Sequence, residues 1–295
     1  MNNMQSILQQ VQDPEFWKQI NPGLSLDGSF NPQSFPLINI EQEHLDELLL
    51  NLKSDGYFQI DSIFSDAEIF RMAIGLEILY QEGWIPTFAF VYDEFWQIFR
   101  QLSSLLSAVI GNEYRQLPAF WAWYVDTSNT ATGWMPHRDR ALNTLQPDGM
   151  PSAVTIWIPL TDAIPLNGCM YILPADLDPN YPDNLRSKQV DNIQDIRALP
   201  VSAGSILCWN HAVLHWGGRS SEKSPHPRLS FACEFQRGDI EPYNQPLLDP
   251  LALPNFNQRL ALIGKQILQY QHVLIWPEWL LELAEELQKL FFVPC

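Results

Sequence analysis

RLSFACEF, residues 228–235, has two unlike faces. Side chains alternate along an extended strand, so Arg228, Ser230, Ala232 and Glu234 share one side while Leu229, Phe231, Cys233 and Phe235 share the other. The second face is apolar and asks for a packed layer against it. The first carries a guanidinium and a hydroxyl, which inside a closed β structure need polar partners, because an unpaired buried charge is costly.

Working outward, AFWAWYV (119–125), SAVTIWIPL (152–160), CMYIL (169–173) and SILCW (205–209) are further short aromatic or β-branched runs. Segments containing Gly, Pro, Asn and Asp separate them. The centre of the chain therefore reads as all β, a barrel or jelly roll. Helical spacing flanks it. Leu45, Leu48, Leu49 and Leu52 follow a helical period, DGYFQIDSIF (55–64) alternates as a strand, and Ser65 with Glu68 three residues on forms a capping box at the head of a helix. One helix is expected over 93–110, ended by Gly111 and Asn112, and two more over 256–270 and from Pro277. Residues 1–42, rich in Asn, Gln and Pro, read as an extended arm. The expected organisation is that arm, a β-core domain over 43–240 and a helical extension over 241–295.

The chain has 295 residues and a formal net charge of −17, with only Lys18, Lys53, Arg71 and Arg100 as basic residues in its first hundred. No broad basic face is available for a phosphate backbone, so nucleic acid and anionic membrane are poor partners. Four cysteines lie at no metal-like spacing, and no apolar run reaches the length of a membrane span. A soluble protein of a reducing, cytoplasmic compartment is expected.

The chemistry gathers in WMPHRDR (134–140) and NHAVLHWGG (210–218). His137 and Asp139 project from one side of an extended segment, and a histidine from a distant strand would complete a facial set of two imidazoles and one carboxylate, the donor set of non-haem iron(II). His211 and His215 compete for the third place. The strand-like lead-in and the Gly pair that follows leave little room for a helix, which favours His215 and puts His211 behind it or at the core edge. Arg228 and Ser230 then suit a dicarboxylate, since the guanidinium fork matches a carboxylate and the hydroxyl adds a hydrogen bond.

With DGYFQIDSIFSDAEI (55–69), HRD (137–139), WIPLTDAIPLNGCMYILPADL (157–177) and AGSILCWNHAVLHWGGRSSEKSPHPRLSF (203–231), the sequence resembles the phytanoyl-CoA dioxygenase-like branch of iron(II)- and 2-oxoglutarate-dependent oxygenases. The resemblance covers roughly residues 43–236. It implies a mainly β fold with flanking helices, whose core is a double-stranded β-helix, the cupin-like jelly roll. It implies iron(II) held by His137, Asp139 and His215, with 2-oxoglutarate and dioxygen as co-substrates and Arg228 on the remote carboxylate. The implied reaction couples decarboxylation of 2-oxoglutarate to succinate and carbon dioxide with oxidation of an unactivated C–H bond. Related halogenases leave the carboxylate position open for halide, so Asp139 points to hydroxylation rather than halogenation, with desaturation, ring closure and epoxidation as the other outcomes open to this chemistry. No catalytic side chain beyond the iron ligands is expected.

Tyr124 and Thr155 are candidates to reach 2-oxoglutarate from neighbouring strands, and Trp134 and Trp216, beside the ligands, to line a substrate pocket. Arg138 and Arg140 are expected to pair with surface carboxylates. The acidic chain suits a small neutral or cationic substrate better than a CoA thioester. Two rivals are a cupin-like binding protein without turnover, against which the interior Arg228 speaks, and a protein side-chain hydroxylase, which would need an open groove beside the metal.

Overall fold

The computed structural model describes residues 3–28, 36–128, 133–142 and 144–292. Its β core is two antiparallel sheets. The larger has strands β1 (Tyr57–Ile60), β2 (Arg115–Val125), β3 (Ala153–Pro159), β6 (Ile206–Asn210) and β8 (Arg228–Gln236) in the order β1-β6-β3-β8-β2. The smaller runs β5-β4-β7, with β4 at Met170–Leu173, β5 at Arg197–Leu199 and β7 at Leu214–Gly217. Neighbouring strands of the larger sheet are not successive in the chain, as expected of a jelly roll.

The alternation read from RLSFACEF divides the interior in two. Leu229, Phe231, Cys233 and Phe235 belong to the main core, shared with α4 (Asp66–Gln81), α5 (Glu94–Gln101) and α6 (Ser103–Ile110). Phe231 meets Phe95 edge-on at 5.1 Å and Phe99 at 5.6 Å, so the outer face of the large sheet is sealed by helices. The inner face carries Trp157, Leu207, Trp209 and Ala232, packed against Met170, Ile172 and Leu199 of the small sheet. That inter-sheet layer holds the cleft described below.

Residues 3–20 are not an extended arm. They form α1 (Asn3–Val11) and α2 (Pro14–Ile20), and the Asp13 carboxylate accepts from the Glu15 backbone N–H at the head of α2. Helices this short have little stability of their own and take it from packing. Trp17 supplies it: the indole is fully buried, stacks on Phe88 at 5.3 Å and donates to the Val11 carbonyl at 2.8 Å, while the Tyr92 hydroxyl donates to the Trp17 carbonyl at 2.9 Å.

Two local details also differ from expectation. The helix foreseen over 93–110 breaks at Leu102 into α5 and α6, where the Gln101 carbonyl leaves the helical ladder to accept from Ile38 N–H at 2.9 Å. The capping box at α4 is half made. Ser65 accepts from Glu68 N–H at 3.3 Å, but the Glu68 carboxylate turns inward to accept from the Gln101 amide at 3.1 Å. Helix α3 (Gln42–Ser54) precedes β1, and α7 (Phe256–Gln269) and α8 (Glu278–Gln288) close the chain as foreseen. Among the described residues no helix is long and apolar enough to cross a membrane.

Candidate active site

His137 sits on no named strand. It joins β7 by one antiparallel bridge, in which His137 N–H donates to the His215 carbonyl at 3.0 Å and His215 N–H donates back at 2.9 Å. That exchange places the two imidazoles side by side, 4.4 Å apart. Asp139, two residues further on, swings its carboxylate beneath both. Oδ1 lies 3.6 Å from His137 Nε2 and 3.4 Å from His215 Nε2, and one ligand atom from each of the three residues falls within 4.8 Å of the others.

The remaining polar atoms of the triad are held from behind. His137 Nδ1 lies 2.7 Å from the Met135 carbonyl and His215 Nδ1 3.2 Å from the Val213 carbonyl. A carbonyl only accepts, so each Nδ1 carries the proton and each Nε2 offers its lone pair. Asp139 Oδ2 accepts from the Thr155 hydroxyl at 2.6 Å and from the Trp209 indole at 2.9 Å, which leaves Oδ1 to face the imidazoles. Burial pushes the Asp139 carboxyl up, but the His215 and His137 imidazoles outweigh it and hold it well below the usual carboxylate range. Burial lowers His215. Two neutral imidazoles and an anionic carboxylate are the forms that bind a divalent cation, and this donor set fits iron(II).

A cleft of about 510 Å³, measured out to its mouth, opens between the sheets onto these three residues. At one end lies Arg228, 1% exposed, with no carboxylate partner among the described residues. One guanidinium nitrogen donates to the Gly168 carbonyl, while Nε and the neighbouring Ser230 hydroxyl are buried without a protein partner. Burial draws Arg228 down to about 10. The backbone comes close here by design: a Cβ at Gly217 would stand 3.0 Å from both Arg228 Nη1 and the Gly133 Cα. A buried cation with an idle hydroxyl beside it fits a carboxylate ligand.

Residues 86–228 match the family model for phytanoyl-CoA dioxygenase (PhyH). They are a phytanoyl-CoA dioxygenase domain. The chain is accordingly an enzyme of the non-haem iron, 2-oxoglutarate-dependent oxygenases. Comparison with curated proteins gives no match. Among solved structures, the dioxygenase fold is similar to the nickel complex of the non-haem monooxygenase ThoJ, with TM-score 0.56 and 15% identity over 76% of this chain and 97% of that one. It is also similar to AviO1 from Streptomyces viridochromogenes, with TM-score 0.52 and 17% identity over 70% and 99%. The 2-oxoglutarate-dependent epimerase SnoN from nogalamycin biosynthesis gives TM-score 0.51 and 16% identity over 73% and 93%. At these identities the likeness speaks for fold alone.

Within the dioxygenase domain, Trp134 and Thr155 line the cleft, but Thr155 spends its hydroxyl proton on Asp139. Two expected contacts are absent from it. Tyr124 pairs with Leu229 in the β2–β8 register, faces the helices and stacks on Tyr80 at 3.8 Å. Trp216 alternates with His215, so it points away and stacks on Tyr171 at 5.9 Å. The residues that do face inward from β2 are Trp121 and Trp123, opposite Ala232 and Ser230. Parity along β2 puts Trp121 and Trp123 on one face, and the β2–β8 register makes that face the inner one. The Trp123 indole N–H is buried without a protein partner, on the strand beside Ser230.

The two arginines of WMPHRDR do not seek surface carboxylates. Arg138 is buried, donating to Asp178 Oδ2 at 2.6 Å and to the Ala212 carbonyl at 2.6 Å, because the 178–187 loop covers that side. Arg140 donates to Glu234 Oε2 at 3.2 Å and lies over the Tyr243 ring at 4.8 Å. Glu234 is itself a cleft residue, and its carboxyl is pushed up to about 8 by burial and by Asp139, against Arg140. His211 stands behind the triad, its Nε2 3.8 Å from Glu234, and burial lowers it to about 4. Tyr270, just past α7, reaches the cleft from the C-terminal segment, a contribution that no strand pattern could signal.

Proposed function

We propose that the protein hydroxylates an unactivated C–H bond of a small organic molecule, with 2-oxoglutarate bound at an iron(II) held by His137, Asp139 and His215. The observation that carries this reading is the buried Arg228, with Ser230 beside it, at one end of the cleft that the triad lines. A metal-binding barrel without co-substrate has no use for an interior guanidinium. The oxidant is dioxygen: bound iron(II) would activate it, and its four reducing electrons would come two from 2-oxoglutarate, which leaves as succinate and carbon dioxide, and two from the C–H bond.

The chain's own residues do the rest. Arg228 and Ser230 take the remote carboxylate, and the Trp123 indole N–H is placed to add a third donor in the role first expected of Tyr124. Thr155 and Trp209 keep Asp139 Oδ1 turned to the metal. Trp121, Trp134 and Tyr270 wall the cleft with apolar surface, which excludes water from the reacting centre. An aromatic cleft set between the two sheets favours a small molecule over a protein side chain.

The oxygenase unit spans 43–240, and 241–295 packs on the same domain, supported by Tyr270 in the cleft wall. Three buried free cysteines, Cys169, Cys208 and Cys233, suit a reducing cytoplasm.

The test is anaerobic titration of the iron(II)-loaded protein with 2-oxoglutarate, following the visible charge-transfer band of the bidentate chelate. The band should form in wild type, be lost with His215→Ala and need far more co-substrate with Arg228→Ala. An iron-loaded wild type without the band would overturn the proposal.

A further inference from the structure

One inner-face residue of RLSFACEF has no part in holding the metal or 2-oxoglutarate. Arg228 and Ser230 lie toward one end of β8, and Glu234 lies at the other. In register it sits beside Thr155, which pairs in turn with Trp209, the two donors that fix Asp139. Glu234 therefore borders the cleft next to the metal ligands and away from the 2-oxoglutarate end. Arg140 holds one of its oxygens, Oε2, at 3.2 Å, while Oε1 has no hydrogen-bond partner among the described residues. The wall around it is aromatic. Tyr270 lies 4.5 Å from Trp134 and 5.3 Å from Trp121, and all three line the cleft with Glu234.

We propose that Glu234 Oε1, with the faces of Trp121, Trp134 and Tyr270, is the recognition site for a protonated amine on the substrate. This deepens the oxygenase reading and rests on it. An ammonium group satisfies both halves of the site. Beside Glu234 it offsets the burial that disfavours the ionised carboxyl, donates a charge-assisted hydrogen bond to the carboxylate so formed, and lies against aromatic faces whose quadrupoles attract a cation. A neutral alcohol meets only the first half, and an anion meets neither. The net charge of −17 works in the same direction by drawing cations toward the protein. The amine end at Glu234 would set which carbon of the substrate stands at the metal.

The test uses benzylamine and benzyl alcohol, titrated anaerobically into the iron(II) and 2-oxoglutarate-loaded protein, with quenching of tryptophan emission as the readout. Wild type should bind the amine about tenfold more tightly than the alcohol, and Glu234→Gln should remove that preference. Equal affinity for the two probes, no binding of the amine, or a preference that survives Glu234→Gln would each overturn the proposal. The first comparison needs wild type alone, so a poorly folded variant does not obscure it. The chelate band of the same samples reports separately on the oxygenase reading. A band with no amine preference sinks the recognition site and spares the oxygenase, and amine preference with no band does the reverse.

Discussion

Replacing Arg228 by Met should make the protein more stable and unable to respond to its co-substrate. The guanidinium is 1% exposed, and burial lowers it from 12.5 to about 10. At about 1.4 kcal/mol per unit, keeping that charge inside costs the fold on the order of 3 kcal/mol. Methionine is a linear chain that fills much of the same space beside Met170, and it carries no charge to bury. The substitution also strands the Gly168 carbonyl, which accepts from Arg228, at a loss of about 1 kcal/mol. The balance is a gain of about 1–2 kcal/mol, or a rise in Tm of roughly 2–6 °C, for the co-substrate-free protein. Wild type should recover about 2.7 kcal/mol when 2-oxoglutarate is present at about 100 times its Kd, and the variant should recover nothing. Calorimetric melts of the metal-loaded proteins with and without 2-oxoglutarate should therefore cross, the variant melting higher without it and lower with it. A variant that melts below wild type without co-substrate, or that keeps the ligand-induced shift, would refute this account of Arg228.

Thr155→Val removes the 2.6 Å hydrogen bond to Asp139 Oδ2 and leaves only Trp209 to hold that oxygen, so metal affinity in chelator competition should fall about tenfold or more; an unchanged affinity would show that the carboxylate needs no such orientation. Glu68 titrates near 4.5 when exposed and about 7 in the fold, where burial raises it. Its contribution to stability is therefore full below pH 4.5 and lost as pH rises through 7, by up to about 3 kcal/mol. Denaturant midpoints at pH 5 and pH 8 should fall more for wild type than for Glu68→Gln, and equal falls would count against the burial.

The cluster of His137, Asp139 and His215 was legible because its signals are local. An i, i+2 pair on extended chain has only one way to point two ligands together, and the Gly pair after His215 forbids a helix. The same alternation in RLSFACEF separated the helix-packed face from the cleft face before any partner strand was known. It could not say in which phase a neighbouring strand sits. Tyr124 and Trp123 are adjacent in sequence, and only the β2–β8 register, Tyr124 with Leu229 and Trp123 with Ser230, decides which looks inward. Trp216 was misread in the same way, one residue from His215 on β7 and therefore on the opposite face.

Other features depend on chain that is distant in sequence. Arg138 and Arg140 read as surface residues because nothing local marks Asp178 or Glu234 as their partners; those carboxylates arrive, on a loop and on β8, from 40 and 94 residues away. The two short N-terminal helices exist because Trp17 finds Phe88 and Tyr92, and Tyr270 reaches the cleft only because α7 packs against the β core. Composition and side-chain periodicity are properties of a segment, and they determined the β centre, its flanking helices and the candidate cluster of His137, Asp139 and His215. Register, loop placement and helix docking are properties of pairs of segments far apart in sequence, settled by burial and hydrogen bonding between them. Those determined the wall of the cleft, and with it what can lie beside the metal.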